Sequence, residues 1–501
     1  MALTRRQFLK NTATLAAGAA AAPAMKWLPG TGVAYASGPS DAIVVFLELY
    51  GGNDGLNMVY PLDGNQRLKY EEYRPTMRAP KVGDSLSDWT TAGFDTSDGV
   101  LAIGADSNLD HYALNPAMKS LHDVYNDGNL AIVPGVHYPF TDYSHFRSEV
   151  IYYTGDPVGT AGLGWMGKYF NLMNFQPTDV PAVMIGDDYN PLFTPTNTSL
   201  FAFNSLSELR FPAGSHSSQR SATFTSMYGD SALSDPNAFP ELVNIGNTGV
   251  AAVDTFHEYY QPGSATGKVE KLLIDSDGNY ASYNDLVWAS PLNPSTGQFA
   301  QNYLTDDLRH VAAVIRSNVG ARFFHVAMGG FDTHSNQEQD LYHSNLLFNV
   351  SEAIAAFWRE MQSTVTLPAG YAGDGYLTGD LSSKVLILTL SEFGRTNKQN
   401  SSDKSSAGTD HGRSAPQFVV GSSVIGGIHG QYPSLQDPDL DDDLRMSHDI
   451  RDYFGTVLDK WLNVAVSDIG PGPGKLFSTT PAPGDDLGET YLSYTPVGFL
   501  P

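Results

Sequence analysis

The segment "DAIVVFLELYGGNDGLN", residues 41–57, constrains the fold more than any other. Its apolar run from Ala42 to Leu47 is unbroken, so no periodicity divides it into a wet face and a dry face. A strand of that kind is buried on both sides, which requires a parallel sheet with helices above and below it. "SKVLILTLSEFG" at 383–394 repeats the pattern, and "LAIVPGV", "VPAVMIGD" and "ARFFHVAMGG" read as further strands. Between them, "MKSLHDVYNDG", "SHFRSEVIYYTG", "DDLRHVAAVIRSNVG", "NLLFNVSEAIAAFWREMQ" and "HDIRDYFGTVLDKWL" carry helical spacing. The expected class is therefore α/β, a predominantly parallel sheet with helices on both faces. In such sheets ligands bind beyond the carboxyl ends of the strands. The less regular stretch from about 190 to 300 reads as an insertion or cap on a single domain spanning 37–501.

The opening residues point to export. "TRRQFLKNT" pairs Arg5 with Arg6, and "ATLAAGAAAAPAM" follows as a mildly apolar run, well short of the roughly 20 strongly apolar residues of a membrane span. Small residues at Ala34 and Ala36 form a cleavage site. Together these resemble a twin-arginine (Tat) signal over residues 1–36, with the Tat translocase as a transient partner and a periplasmic or secreted destination. The chain has 29 basic and 54 acidic side chains and no cysteine. With the presumed signal removed, the balance is 25 against 54, a net charge of −29. That charge disfavours nucleic acid and anionic membrane surfaces as partners, and no stable membrane insertion is expected. The lack of cysteine excludes disulfides, thiolate metal sites and iron–sulfur clusters. Any metal must sit on histidine, carboxylate or neutral oxygen.

Three strands end in small, carboxylate-bearing turns: "GGNDGLN" with Asp54, "GGFDTHSNQ" with Asp332 and His334, and "SEFGR" with Glu392, followed by "TDHGR" with His411. Each alone is an ordinary turn. Convergence on one sheet edge is the stronger signal. Asp332 and His334 lie two residues apart, so in extended backbone they share a face and can share a cation. Mixed carboxylate and imidazole donors suit Zn²⁺, Mn²⁺ or Fe, and an oxygen-only subset would suit Mg²⁺ or Ca²⁺. "DSDGNY" at 275–280 lacks the Gly and Glu placement of a calcium loop, and "DPDLDDDL" at 437–444 reads as a solvated acidic loop.

"GGNDGLN", "YSHFRSEVIYYTG", "GGFDTHSNQ", "LSEFGRT", "GTDHGR" and "DIRDYFGTVLDKWL" together resemble, in order, the DUF1501 family, which is itself similar to the alkaline phosphatase and sulfatase superfamily. The resemblance implies an alkaline-phosphatase-like fold and a divalent metal site. It makes Asp332, His334 and His411 ligands of a first metal, and Asp54 and Glu392 ligands of a second. It makes Ser144, opening a helix, the position most like the nucleophile. The superfamily carries Asp-His where this chain has Glu392-Phe393, so one imidazole is missing, and His145 is the nearest replacement. Its acid and imidazole at the first metal are also spaced more widely than Asp332 and His334. With no cysteine to become formylglycine, a conventional sulfatase is disfavoured. Arg147 and Arg395 are the cations expected to hold an anionic ester. The expected function is an exported metal-dependent hydrolase of small phosphate or sulfate esters. The alternative is a non-catalytic envelope or secreted protein that retains the fold and at most a partial metal site.

Overall fold

This computed structural model describes residues 41–139, 141–157, 162–175, 180–186, 190–194, 200–204, 303–316, 318, 320–364, 377–439, 441–470, 474–477 and 493–501, with the backbone of 292–293 and 298–299. The presumed signal, the "DSDGNY" loop and most of the stretch read as a cap lie outside the described residues. The strands are β1 (Ile43–Leu49), β2 (Val59–Pro61), β3 (Leu101–Ala105), β4 (His111–Leu114), β5 (Leu130–His137), β6 (Ala182–Ile185) and β7 (Leu200–Phe203). Later in the chain come β8 (Leu292–Asn293), β9 (Gln298–Phe299), β10 (Phe323–Met328), β11 (Val385–Leu390), β12 (Ala415–Val420), β13 (Gly427–Ile428) and β14 (His448–Asp449).

One sheet dominates, in the order β13-β5-β12-β11-β1-β10-β6-β7, with β14 also paired to β5. Among its described strands only β12 runs against its neighbours. The rest are parallel to one another, so the fold is the mixed α/β, mostly parallel arrangement that the apolar runs predict. β1 is central and every one of its residues is buried. Its side chains alternate between two cores: Ile43, Val45, Leu47 and Leu49 face one, and Val44 and Phe46 face the other. Each fully buried aliphatic residue there contributes roughly 1.5–3 kcal/mol over leaving it exposed. The first core is closed by the helices Lys119–Asn126, Tyr303–Arg316 and Tyr342–Gln362. The second is closed by His145–Thr154, Trp165–Leu172 and Ile450–Thr456.

Three details differ from the sequence reading. Leu200–Phe203, inside the stretch read as a cap, is a strand of the main sheet, parallel to β6. The closing helix is not one regular amphipathic unit, because it passes into a π turn at Val457–Trp461. The acidic run at 437–444 is not simply solvated. Asp439 is buried against Arg413 at 3.2 Å and accepts from the backbone N–H groups of Asp441 and Asp443. Burial, reinforced by Asp439 and Asp441, pushes the Asp443 carboxyl up to about 7.

Candidate metal centre

The carboxyl ends of the adjacent strands β11, β1 and β10 lie side by side, and the loops that follow them build the site. After β1 the chain turns sharply at Gly51 and Gly52, which have φ of 118° and 72°. A Cβ on Gly51 would stand 2.4 Å from the backbone nitrogen of Asp332, so only glycine lets the two loops touch. After β11, Glu392 accepts from Gly51 N at 2.8 Å and binds the first turn to the third strand. The polar loop beyond Arg395 folds back on itself. Arg395 and His411 form an isolated antiparallel bridge, and Thr396 N donates to Asp410 O at 3.0 Å. That return brings His411 beside the strand ends although Glu392 is far from it in sequence.

Four of the expected ligands come together. Asp332 Oδ1 lies 3.0 Å from His334 Nε2 and 3.1 Å from His411 Nε2, and Asp332 Oδ2 lies 3.6 Å from His145 Nε2. His334 Nε2 and His411 Nε2 are 2.9 Å apart. The outer nitrogens fix how these rings present themselves. His145 Nδ1 lies 2.7 Å from Glu392 Oε1, His334 Nδ1 lies 2.9 Å from Asp410 Oδ1, and His411 Nδ1 lies 2.7 Å from the Tyr143 carbonyl. Carboxylates and a carbonyl only accept, so each Nδ1 carries a proton, and in the neutral form of each ring the Nε2 lone pair turns inward. Two lone pairs at 2.9 Å repel unless a proton or cation lies between them. Donor atoms around a tetrahedral ion with bonds of about 2.0–2.1 Å are about 3.3 Å apart, close to these spacings. His145, Asp332 and His411 are close enough to share one ion. The donor set therefore fits a cation, and Glu392, Asp410 and Tyr143 stand where outer groups orient metal-bound imidazoles.

Burial alone would raise Asp332, but the hydrogen bond and positive charge of Arg395 hold it at about 2. The hydrogen bond to Glu392 raises His145, whereas burial lowers His411 and favours its neutral, ligating form. Phe393 packs on His145 and His411 with ring centroids 4.9 and 4.5 Å away. It forms an apolar floor beneath these two imidazoles. Glu392 Oε2 is buried with no hydrogen-bond partner.

Other expected residues are placed elsewhere. Asp54 is fully buried and bound through both oxygens to Arg74, at 2.6 and 3.1 Å, with Gln337 Nε2 on Oδ2. Burial would raise its pKa, but Arg74 holds it below the usual carboxylate range. It belongs to a closed ion pair and not to the imidazole cluster. Glu392 orients His145 from behind. Arg395, expected to hold an ester, is buried and donates to the carbonyls of Gly51, Gly52, Phe331 and Thr409 and to Asp332. It ties the site loops together, because its guanidinium is spent on four carbonyls from three loops and on Asp332. Arg147 reaches the Pro157 carbonyl at 3.0 Å. Ser144 is the N-cap of its helix; its backbone N–H donates to Asp142, and its exposed hydroxyl makes no capping bond. Arg74, Asp410 and the Tyr143 carbonyl were not singled out from sequence. Only Asp410 had a local signal, as the carboxylate beside His411.

The family model described as "Protein of unknown function (DUF1501)" matches residues 289–464. Those residues contain Asp332, His334, Glu392 and His411; the "GGNDGLN" and "YSHFRSEVIYYTG" blocks lie before them. No curated protein matches. Among solved structures, a protein in the alkaline phosphatase superfamily from Vibrio parahaemolyticus is similar at 9% identity and a TM-score of 0.33, covering 92% of this chain and 76% of its own. The PsFucS1 sulfatase from Pseudoalteromonas sp. is similar at 9% identity and a TM-score of 0.31, covering 95% and 74%.

Proposed function

We propose that this protein is an exported hydrolase of phosphate or sulfate esters that works with one divalent cation. The observation that carries the reading is the set of three imidazoles, each with Nδ1 bonded outward and Nε2 turned toward Asp332. His145, Asp332 and His411 would hold the ion, with His334 as a fourth donor. Imidazole-rich ligation favours Zn²⁺, Mn²⁺ or Fe over Mg²⁺ or Ca²⁺. Such a cation, when bound, supplies Lewis acidity toward the ester oxygens. Ser144 would supply the nucleophilic hydroxyl, from a helix start whose backbone N–H groups favour an anionic oxygen. Glu392, Asp410 and Tyr143 hold the imidazole tautomers, and Arg395 keeps the three loops in register. A second ion at Asp54 is not part of the proposal, because Arg74 already neutralises that carboxylate. Export rests on the "TRRQFLK" segment and the negative charge that follows it.

The non-catalytic reading has one observation in its favour: both arginines expected to grip the ester bind backbone carbonyls instead. Metal analysis joined to turnover separates the two. Wild-type protein should carry one equivalent of metal, lost in Asp332→Ala and His411→Ala. It should hydrolyse an aryl phosphate or aryl sulfate, with turnover lost in Ser144→Ala. Metal without turnover on either ester supports the non-catalytic reading, and well-folded metal-free wild type removes the hydrolase.

A further inference from the structure

Beside Asp332 lies a cleft of about 480 Å³, within the roughly 300–1,000 Å³ of small-molecule sites. Gly330 and residues drawn from the turn between Asp332 and Asn345 line it, and none of the lining residues is a lysine, arginine or histidine. The side chains of Ser335, Asn336, Gln339 and Asp340 make no hydrogen bond or ion pair among the described residues, although the surrounding loop is densely bonded. Asn345 by contrast donates to the carbonyls of Asp340 and Leu341 and holds the cleft wall. Asn336, Asp340 and Leu341 all have positive φ, at 57°, 52° and 55°. For residues with a Cβ this is a conformation a loop adopts at some cost, and here it accompanies a row of unused polar groups.

Two exposed rings border the same turn. A Cβ on Gly330 would stand 3.0 Å from the Tyr342 hydroxyl, and one on Gly329 would stand 4.0 Å from the Tyr50 ring. Tyr50 also packs on His145, with centroids 5.8 Å apart. Of the exposed large apolar side chains among the described residues, Tyr50, Tyr143, Phe146 and Tyr342 all belong to segments that form this end of the sheet. Exposed aromatic rings beside uncommitted amides and carboxylates are suited to one ligand chemistry. A pyranose ring lays its C–H face on an aromatic ring and exchanges hydrogen bonds, as donor and acceptor at once, with amides and carboxylates. A cationic ligand would use the acids and the rings but leave the amide donors of Asn336 and Gln339 unmet. An anionic group would meet Asp340 without a cation in the lining to offset it.

We infer that this cleft is a saccharide subsite, binding a neutral sugar ring through Asn336, Gln339 and Asp340 with Tyr342 as a stacking surface. Its use as the seat of the organic part of an ester substrate rests on the hydrolase reading; the binding of sugar does not.

The test uses neutral, ester-free disaccharides of glucose, galactose and N-acetylglucosamine, with choline as the cationic control, and reads saturation-transfer NMR on the full protein. At least one disaccharide should receive transfer at its ring protons. Tyr342→Ala and, separately, Gln339→Ala should weaken that binding about tenfold, with unchanged circular dichroism. Both residues are at the surface, so neither change threatens the fold. His411→Ala should leave sugar binding intact. Absence of transfer to every disaccharide, transfer to choline alone, or binding indifferent to both variants overturns the inference. Sugar binding without turnover of aryl esters would leave the subsite standing and remove the hydrolase. Turnover without sugar binding would do the reverse.

Discussion

Asp54→Asn separates a structural carboxylate from a metal ligand. In the folded protein Asp54 and Arg74 are both wholly buried, and Arg74 also donates to the carbonyls of Asn397 and Thr396 at 2.6 and 2.7 Å. The variant keeps the shape and removes one charge. Arg74 would then be a buried cation without a counter-ion, and one of the amide orientations would set a donor against the Gln337 side chain. Breaking one partner of a buried pair costs about 3–5 kcal/mol. With an m-value of about 3 kcal/mol/M or more for a domain of this size, the urea midpoint should fall by about 1 M. Metal content, measured on protein folded well below that midpoint, should match wild type. The reasoning is refuted by a variant that unfolds within about 1 kcal/mol of wild type and has lost its metal, since that is how a ligand behaves.

Gly51→Ala should destabilise by at least about 2 kcal/mol, because its φ is unfavourable for alanine and its Cβ would meet the Asp332 backbone; denaturant titration reads this. Arg395→Lys should cost about 3 kcal/mol of stability, since one ammonium cannot reach the carbonyls that the guanidinium spans. A change confined to KM would instead restore Arg395 to the ester. Burial holds His310 at about 4, below the 6.5 of an exposed imidazole. Between those values the unfolded chain binds the proton and the folded chain does not. Stability from this group is therefore full above pH 6.5 and is lost as pH falls toward 4, about 2 kcal/mol between pH 7 and pH 5. His310→Leu should flatten that part of the stability–pH curve, and an unchanged curve would count against it.

The layers of this fold are legible in sequence because burial on both faces leaves its mark residue by residue, as β1 and β11 show. So is the meeting of Asp332, His334 and His411, since strand ends in a parallel sheet share an edge. What the sequence hides are pairings between distant side chains. Asp54 looks like Asp332, each an aspartate after a Gly-Gly turn. One points into the core against Arg74, and the other stands half exposed among imidazoles. The difference lies in the path of the chain through residues 64–74, which no local pattern announces. Arg395 misleads for the same reason: an arginine near a strand end resembles an anion clamp until the inward carbonyls of three loops are counted. The Tyr143 carbonyl that orients His411 is backbone, and backbone acceptors leave no trace in residue identity. Phe393 was legible, and the structure gives the departure a physical role as the floor on which two imidazoles rest.

Anomalous X-ray diffraction from crystals grown with the protein's own metal tests the central claim most directly. The account predicts a single strong peak among Asp332 Oδ1 and the Nε2 atoms of His145, His334 and His411, at about 2.0–2.2 Å from its donors. A peak at Asp54, or well-ordered imidazoles with no peak between them, would contradict it.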